Sequence, residues 1–428
     1  MVHRFLRLVV PSLFVGSLVA VPRGPHTSRP ALECRVDTER SSGLVTKTGR
    51  RVSLMPSSVA WNGKQLAVLG EPTMLTGDAS VQTNPQSEIS FGLGVISDTL
   101  GSSTLIGYPK AHPHALRPQV VAGPGDSWTV LFFDRVFTDA NRIGVDSAEL
   151  WIGTYRHGVW HDLRRVHTLR DANISPTFTS RFVRRATELG FAYAFNQSLG
   201  ARSGTRSKRG IVVLRGSGDK MRVDTLVPEG PGFYLALLAR PNATAWDLLA
   251  QAPAYDSTQH FRSESLVRAK LEEIHSPLSV VSASENRTYA YALIWLRSGR
   301  NSLALWLSES PSRRTTLRAR PLTEAQSVES VIAGDVSRYS IAPFGATRAF
   351  VVHAVDADTG RLQYVFVDDR GRTEGAGRLA IRDNGPTIAS VAVADGAVMI
   401  VSNARSRTQP FGPPITTLTS LQGHCGDQ

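Results

Sequence analysis

The chain has 428 residues, of which 41% are apolar, 7% aromatic and 20% charged. That is enough apolar surface for a large core and argues against wholesale disorder. The two cysteines exclude a disulfide-dense mini-domain and a multi-cysteine zinc or iron–sulfur cluster. The net charge is +12, mostly from arginine, but no dense basic run or recognition helix forms the stripe that a nucleic-acid binder needs, so no nucleic-acid partner is expected.

The first twenty residues, MVHRFLRLVVPSLFVGSLVA, carry Arg4 and Arg7 ahead of an apolar stretch from Leu8 to Val19. This predicts a secretory signal over 1–20, because about 12 apolar residues fall short of the roughly 20 that span a bilayer. Removing it lowers the net charge to +10. No second candidate span follows, so a secreted, periplasmic or cell-surface protein with no membrane span is expected. Residues 21–33 read as a disordered or extended start to the mature chain, 34–425 as one domain and 426–428 as a tail. Export permits a disulfide, and Cys34 with Cys425 would close nearly the whole mature chain. Such a bond holds the two chain ends together, as a closed ring needs and a solenoid does not.

Helical periodicity is nearly absent. Ser263 to Ile274 fits either a short helix or a polar outer strand. Elsewhere short apolar or alternating runs stand between Gly, Asn, Asp and Ser: Ser58–Trp61, Gln65–Leu69, Trp128–Phe133, Glu149–Tyr155, Gly190–Phe195, Gly210–Leu214, Phe233–Leu238, Tyr289–Trp295, Ser302–Ser308, Ala349–Ala354, Leu362–Val367, Ile388–Val393 and Ala397–Val401. The chain reads as all-β and rich in hairpins.

The runs recur. Pro56, Pro118, Pro176, Pro277 and Pro386 each precede a strand, which suits a residue that cannot donate to the ladder. Two missing starts would fall near Pro228–Phe233 and Ser327–Ile332. Residues 149–166, 210–227, 302–320 and 362–380 read as outer hairpins of four-stranded blades. A ring of such sheets buries each against its neighbours. The expected fold is a β-propeller of seven blades, with six as the alternative, closed by the N- and C-terminal segments. Gly43–Thr48 is expected to supply the missing strand of the last blade.

The hairpin YRHGVWHDLRRV, with Gly158 and Trp160, resembles the aspartate-box hairpins of the sialidase-like, BNR-repeat propellers, whose motif runs Ser-x-Asp-x-Gly-x-x-Trp. Here the glycine and tryptophan stand one residue closer, and the serine and aspartate are missing. The resemblance implies a propeller and, as an alternative function, a glycoside hydrolase using an arginine triad, a tyrosine with a glutamate, and an aspartate. Tyr155, Glu264, Asp171 and Asp383 are residues of those types, but none stands in a matching motif.

No GxSxG, HExxH, P-loop or Rossmann pattern occurs, and no cofactor or metal is expected. His157, His161 and His167 read as hairpin histidines, and Asp368–Asp369 as a turn. In a propeller, loops joining the blades line one mouth of the axial channel. The residues next to the repeated prolines and their neighbours are therefore the candidate ligand-binding set: Arg117, Asp171, Asn173, His275, Arg382 and Asp383. Arginine beside carboxylates suits a polar or anionic ligand. The expected function is an exported monomeric binding or structural module whose partner is a glycan or a cell-surface protein.

Overall fold

The structure is a computed structural model. It describes residues 32–42, 44–45, 51–62, 65–74, 92–97, 103–107, 115–136, 147–170, 172–173, 180–198, 207–218, 220–226, 235–239, 246–255, 261–271, 279–284, 287–296, 302–322, 328–355, 362–379, 386–394, 397–405 and 416–427. The expected signal segment lies outside them. Among the described residues no helix is long and apolar enough to cross a membrane.

The chain is nearly all β, in small antiparallel sheets of four or five strands, and the described residues form seven of them. In chain order, sheet 1 holds Leu44–Val45, Arg51–Trp61, Gln65–Met74, Gly92–Ser97 and Ser103–Gly107. Sheet 2 holds Ala115–Ala122, Ser127–Val136, Ser147–Arg156 and Val159–Arg170. Sheet 3 holds Ala172–Asn173, Val183–Arg185, Glu188–Ser198, Ser207–Ser217 and Lys220–Leu226. Sheet 4 holds Leu235–Ala239, Trp246–Tyr255, Phe261–Lys270 and Ser279–Ser284. Sheet 5 holds Arg287–Trp295, Ser302–Glu309, Thr315–Pro321 and Ser330–Gly334. Sheet 6 holds Arg338–Phe344, Arg348–Ala354, Leu362–Asp368 and Thr373–Arg378. Sheet 7 combines Pro386–Ala394, Ala397–Arg405 and Thr416–Asp427 with the N-terminal strand Leu32–Ser42.

Sheets 2 to 6 are apolar on both faces, and strand alternation sends the two faces to different neighbours. In Ser302–Glu309, Leu303, Leu305 and Leu307 pack on Ala349, Val351, Val365 and Val367 of sheet 6. Ala304 and Trp306 of the same strand pack on Leu249, Leu266 and Val281 of sheet 4. Phe191, Tyr193 and Phe195 meet Leu131, Phe133 and Leu150 of sheet 2, while Ala192 and Ala194 meet Trp246, Leu248 and Ala250 of sheet 4. Phe350, Tyr364 and Phe366 meet Val398, Ile400 and Cys425 of sheet 7. Each large side chain buried this way contributes about 1.5–3 kcal/mol.

One early strand of each sheet touches the next in series. Arg51–Trp61 contacts Ala115–Ala122, which contacts Val183–Arg185, which contacts Leu235–Ala239. The series continues through Arg287–Trp295, Arg338–Phe344 and Pro386–Ala394, and the last of these touches Arg51–Trp61 again.

Polar ties cross the same boundaries. Arg268 donates to Asp247 Oδ1 from Nε at 3.0 Å and from Nη2 at 2.8 Å, and its Nη1 donates to Leu322 O of sheet 5 at 2.6 Å. Arg215 donates to Asp224 Oδ2 and, at 3.2 Å, to Leu271 O of sheet 4. Arg164 donates to Gly218 O of sheet 3. Part of the arginine excess is thus structural.

The observed strands differ from the expected ones at several places: Pro56 and Pro118, for instance, lie inside Arg51–Trp61 and Ala115–Ala122 at register shifts, where a bulge spares the missing N–H, rather than ahead of a strand. Of the two readings of Ser263–Ile274 the strand holds, as Phe261–Lys270, but it is the third strand of sheet 4 rather than an outer one, because Leu266 packs toward sheet 5 while Val267 packs toward sheet 3. The strand added to sheet 7 is Leu32–Ser42, whereas Leu44–Val45 pairs with Arg51–Trp61 in sheet 1. The strand after Pro277, Ser279–Ser284, and the segment near Ser327–Ile332, now Ser330–Gly334, are last strands of their sheets rather than first ones. A proline is tolerated equally well at an outer edge, so it does not mark the inner strand. Likewise 302–320 forms the two middle strands of sheet 5, while 149–166, 210–227 and 362–380 are outer hairpins as expected. At 157–158 the turn has positive φ at both His157 (50°) and Gly158 (83°), the two-residue geometry that matches strand twist.

Cys34 stands opposite Cys425 in the Leu32–Ser42/Thr416–Asp427 pairing, and the two form the expected disulfide across a separation of 391 residues. Cys34 N also donates to Tyr364 Oη of sheet 6 at 3.0 Å. Loop-closure arithmetic puts the stabilisation at about 6 kcal/mol as an upper figure. The variant Cys34→Ser/Cys425→Ser is expected to unfold at clearly lower urea than the parent in equilibrium titrations; identical midpoints would contradict the tie.

His353 is 4% exposed, between Tyr339 and Gln363 of the flanking strands, and its Nδ1 has no hydrogen-bond partner. Burial pushes its pKa down from 6.5 to about 4. The neutral form is the folded one, so stability is complete above pH 6.5 and falls between 6.5 and about 4, where the unfolded chain is protonated and the folded one is not. The loss is about 2 kcal/mol at pH 5. Urea midpoints at pH 7.5 and pH 5 are expected to differ less in His353→Gln than in the parent; equal differences would remove His353 as the cause.

Candidate functional site

Of the expected mouth residues, Asp171, His275, Arg382 and Asp383 lie outside the described residues. Arg117 lies in Ala115–Ala122 where the register shifts between Leu116 and Gln119, and Asn173 pairs with Asn196. The strand that follows His275 in the chain is the outer edge of sheet 4.

The structure brings forward a residue that sequence reasoning missed. Ser180 N donates to Ala192 O at 2.8 Å, and Ala192 N donates to Ser180 Oγ at 2.9 Å, which fixes the approach to Val183–Arg185. Gln119 of sheet 2 clamps the same segment: its Nε2 donates to Ser180 O at 2.9 Å, and its Oε1 accepts from Phe182 N at 2.5 Å. Phe182 is buried in the core between sheets 2 and 3. Arg181, held between these anchors, donates from Nη2 to Ser340 Oγ of sheet 6 at 3.3 Å.

Arg181 is densely surrounded by protein, and desolvation lowers its pKa; nevertheless its side chain keeps solvent-exposed surface. An arginine in this setting stays charged. Nearby Tyr339 donates its hydroxyl to Leu305 O at 3.0 Å and to Ala290 O, and burial raises its pKa, so it is a structural phenol rather than a nucleophile. Among the described residues no carboxylate pairs with Arg181. A charged guanidinium with solvent access and unspent donors is suited to a carboxylate or sulfate.

A concavity lies between sheets 2 and 3. It has a volume of about 210 Å³, with Thr129, Thr154, Asp162, Arg164, Arg184 and Thr187 in its wall.

Other expected features behave as packing. Tyr155 is buried and makes an edge contact with Trp160 at 5.4 Å, so it braces the outer hairpin. His157 is in the turn and His161 is exposed, while His167 packs against Tyr193 at 6.3 Å with its pKa lowered by burial. No cluster of three or more metal-ligating side chains occurs among the described residues. Asp368 accepts from Arg370 N and Arg372 N, as expected of a hairpin turn.

No family model matches the chain, and no curated protein is similar to it in sequence. Solved structures do match. A PL25 ulvan lyase bound to -[GlcA(1-4)Rha3S]- aligns with a TM-score of 0.53 at 9% identity, covering 90% of this chain and 96% of that one. The likeness is one of fold. A Dyadobacter fermentans protein of unknown function aligns with a TM-score of 0.47 at 11% identity, covering 73% of this chain and 95% of that one. Trypanosoma rangeli sialidase aligns with a TM-score of 0.38 at 10% identity, over 92% of this chain and 59% of that one. These two likenesses are weaker.

Proposed function

We propose that the protein is an exported seven-bladed β-propeller that binds an acidic saccharide through Arg181 in its axial channel. The seven sheets are the blades, and the serial contact of one early strand of each, which returns to its start, supports a ring. The observation that carries the reading is the Arg181–Ser340 hydrogen bond. Sheets 3 and 6 are not neighbours in a ring of seven, so a side chain joins them only across the middle. Export is supported by the apolar leader and by the disulfide.

An acidic saccharide is the ligand class because Arg181 has no carboxylate partner among the described residues, and because a protein of similar fold is bound to -[GlcA(1-4)Rha3S]-. A sialidase-like hydrolase on the same ring would need a carboxylate pair, or a tyrosine with a glutamate, beside the arginine. Among the described residues, Tyr339 beside Arg181 and Tyr155 are both committed to packing, which favours binding.

The test is calorimetric titration with a glucuronate oligosaccharide, using a neutral glucose oligosaccharide as control. Losing a charge-assisted hydrogen bond of about 1.5–3 kcal/mol predicts at least about a tenfold weaker affinity for Arg181→Gln, with Tm retained. The reading is sunk by equal affinity of variant and parent, or by no preference for the acidic sugar. Release of sugar from an aryl sialoside by the folded parent would favour the hydrolase instead.

A further inference from the structure

Arg287–Trp295, the first strand of sheet 5, is interrupted. Tyr289 pairs with Leu307 and Ala292 with Leu305, so residues 290 and 291 together stand opposite Trp306. This is a bulge, one extra residue in the strand through which sheet 5 joins the serial contacts. At the bulge Ala290 has a φ of 53°. The left-handed region is costly for a residue with a Cβ, and alanine has no side-chain oxygen to offset the cost. The other non-glycine residues with positive φ among those described are of a different kind. His157, Ala186, Arg313 and Asp335 lie in turns or bends between strands, and Asp162 is of a type that visits this region. Strain inside a strand, on a residue unsuited to it, persists only where the surroundings hold it.

What holds it is Tyr339. Its hydroxyl donates to Ala290 O and, at 3.0 Å, to Leu305 O, so one side chain of sheet 6 spans the bulge and the strand beside it. The residues ahead of the bulge are fixed separately: Thr288 O accepts from Gln251 Nε2 at 3.1 Å, and Tyr289 Oη lies 3.4 Å from Thr315 Oγ1. Tyr339 is also next to Arg181. It precedes Ser340, which accepts from Arg181 Nη2 at 3.3 Å, and the charge of Arg181 acts on its phenol directly. An unbroken set of contacts thus runs from the exposed cation to strained main chain on an adjoining sheet. Bulges re-aim the chain beside ligand sites, and strain of this kind gathers there.

We infer that Tyr339 is a positioning residue of the Arg181 site: its hydroxyl holds the Ala290 bulge in the left-handed form, and the bulge shapes the wall against which the sugar ring lies once its acidic group is on Arg181. The inference rests on the channel reading. It adds main-chain shape, set by Tyr339, to the charge that Arg181 supplies.

The experiment is calorimetric titration of the full chain with a glucuronate oligosaccharide, with circular dichroism as the check of folding. Tyr339→Phe removes only the hydroxyl. Ala290 then leaves the left-handed region, the bulge relaxes, and affinity is expected to fall about three- to tenfold. In Tyr339→Phe/Ala290→Gly the glycine occupies the left-handed region without steric cost, so the bulge keeps its shape unaided and affinity returns to within about twofold of the parent. That rescue is the decisive readout. A hydroxyl that touched the sugar, or that merely supported the core, would not be replaced by removing a methyl group from another sheet. Should Tyr339→Phe not fold, Ala290→Val puts the same question with the hydroxyl in place: a β-branched residue resists the left-handed region, and the same fall is expected. Parent-like affinity of the folded Tyr339→Phe or Ala290→Val protein, or a double variant as weak as Tyr339→Phe, overturns the inference while the loss of binding in Arg181→Gln keeps the channel reading intact. No binding by the parent overturns both.

Discussion

A four-stranded antiparallel sheet with apolar side chains on both faces cannot be stable alone. Ser302–Glu309 states the constraint most plainly, because Leu303, Leu305 and Leu307 need one neighbour while Ala304 and Trp306 need another. Every sheet from 2 to 6 meets the same demand, so an open row of sheets would leave an apolar face bare at each end. The proposed ring removes both ends. Within it Leu32–Ser42, the strand that carries Cys34, joins the first residues of the domain to the last strand, so that sheet 7 is completed by a segment from the far end of the chain. The hydrogen bond from Cys34 N to Tyr364 ties that seam to sheet 6 as well.

The strands were legible wherever apolar runs were continuous, because sheets buried on both faces do not alternate. Thus Gln65–Leu69, Trp128–Phe133 and Ala349–Ala354 all lie within observed strands. What failed was position within a sheet. Proline marks neither the start of a strand nor which strand it is: Pro56 and Pro118 lie inside Arg51–Trp61 and Ala115–Ala122 where the register shifts, and both Ser279–Ser284 and Ser330–Gly334 are last strands of their sheets. The N-terminal strand was missed because LECRVDTERSS is polar; its pairing and its covalent bond hold it, not its propensity. The pairing of Cys34 with Cys425 was readable, since two cysteines allow one bridge.

The site was much less legible. Arg181 stands in SRFVRR, one arginine among many, and nothing local separates it from Arg184 or Arg185. Their fates differ through tertiary surroundings alone: Arg185 pairs with Glu188 and covers Trp246, Arg184 turns to sheet 2, and Arg181 reaches sheet 6. The basic composition divides in the same way. Arg164, Arg215 and Arg268 tie sheet to sheet through main-chain carbonyls, so net charge overstates what is free to meet a ligand. The expectation of an arginine at the centre of an anionic-ligand site survives as a proposal, on a residue other than those first chosen.

The most direct measurement is the proximity of positions 181 and 340 in solution. The variant Arg181→Cys/Ser340→Cys, with its native disulfide intact, would be treated with a short bismaleimide and mapped by mass spectrometry, once folded and once in urea. Seven sheets around a common axis predict an intramolecular link between the two peptides in the folded protein and none after unfolding. If both new thiols react with a single-ended maleimide while no link forms, sheets 3 and 6 do not face each other, and the ring with its central arginine is wrong.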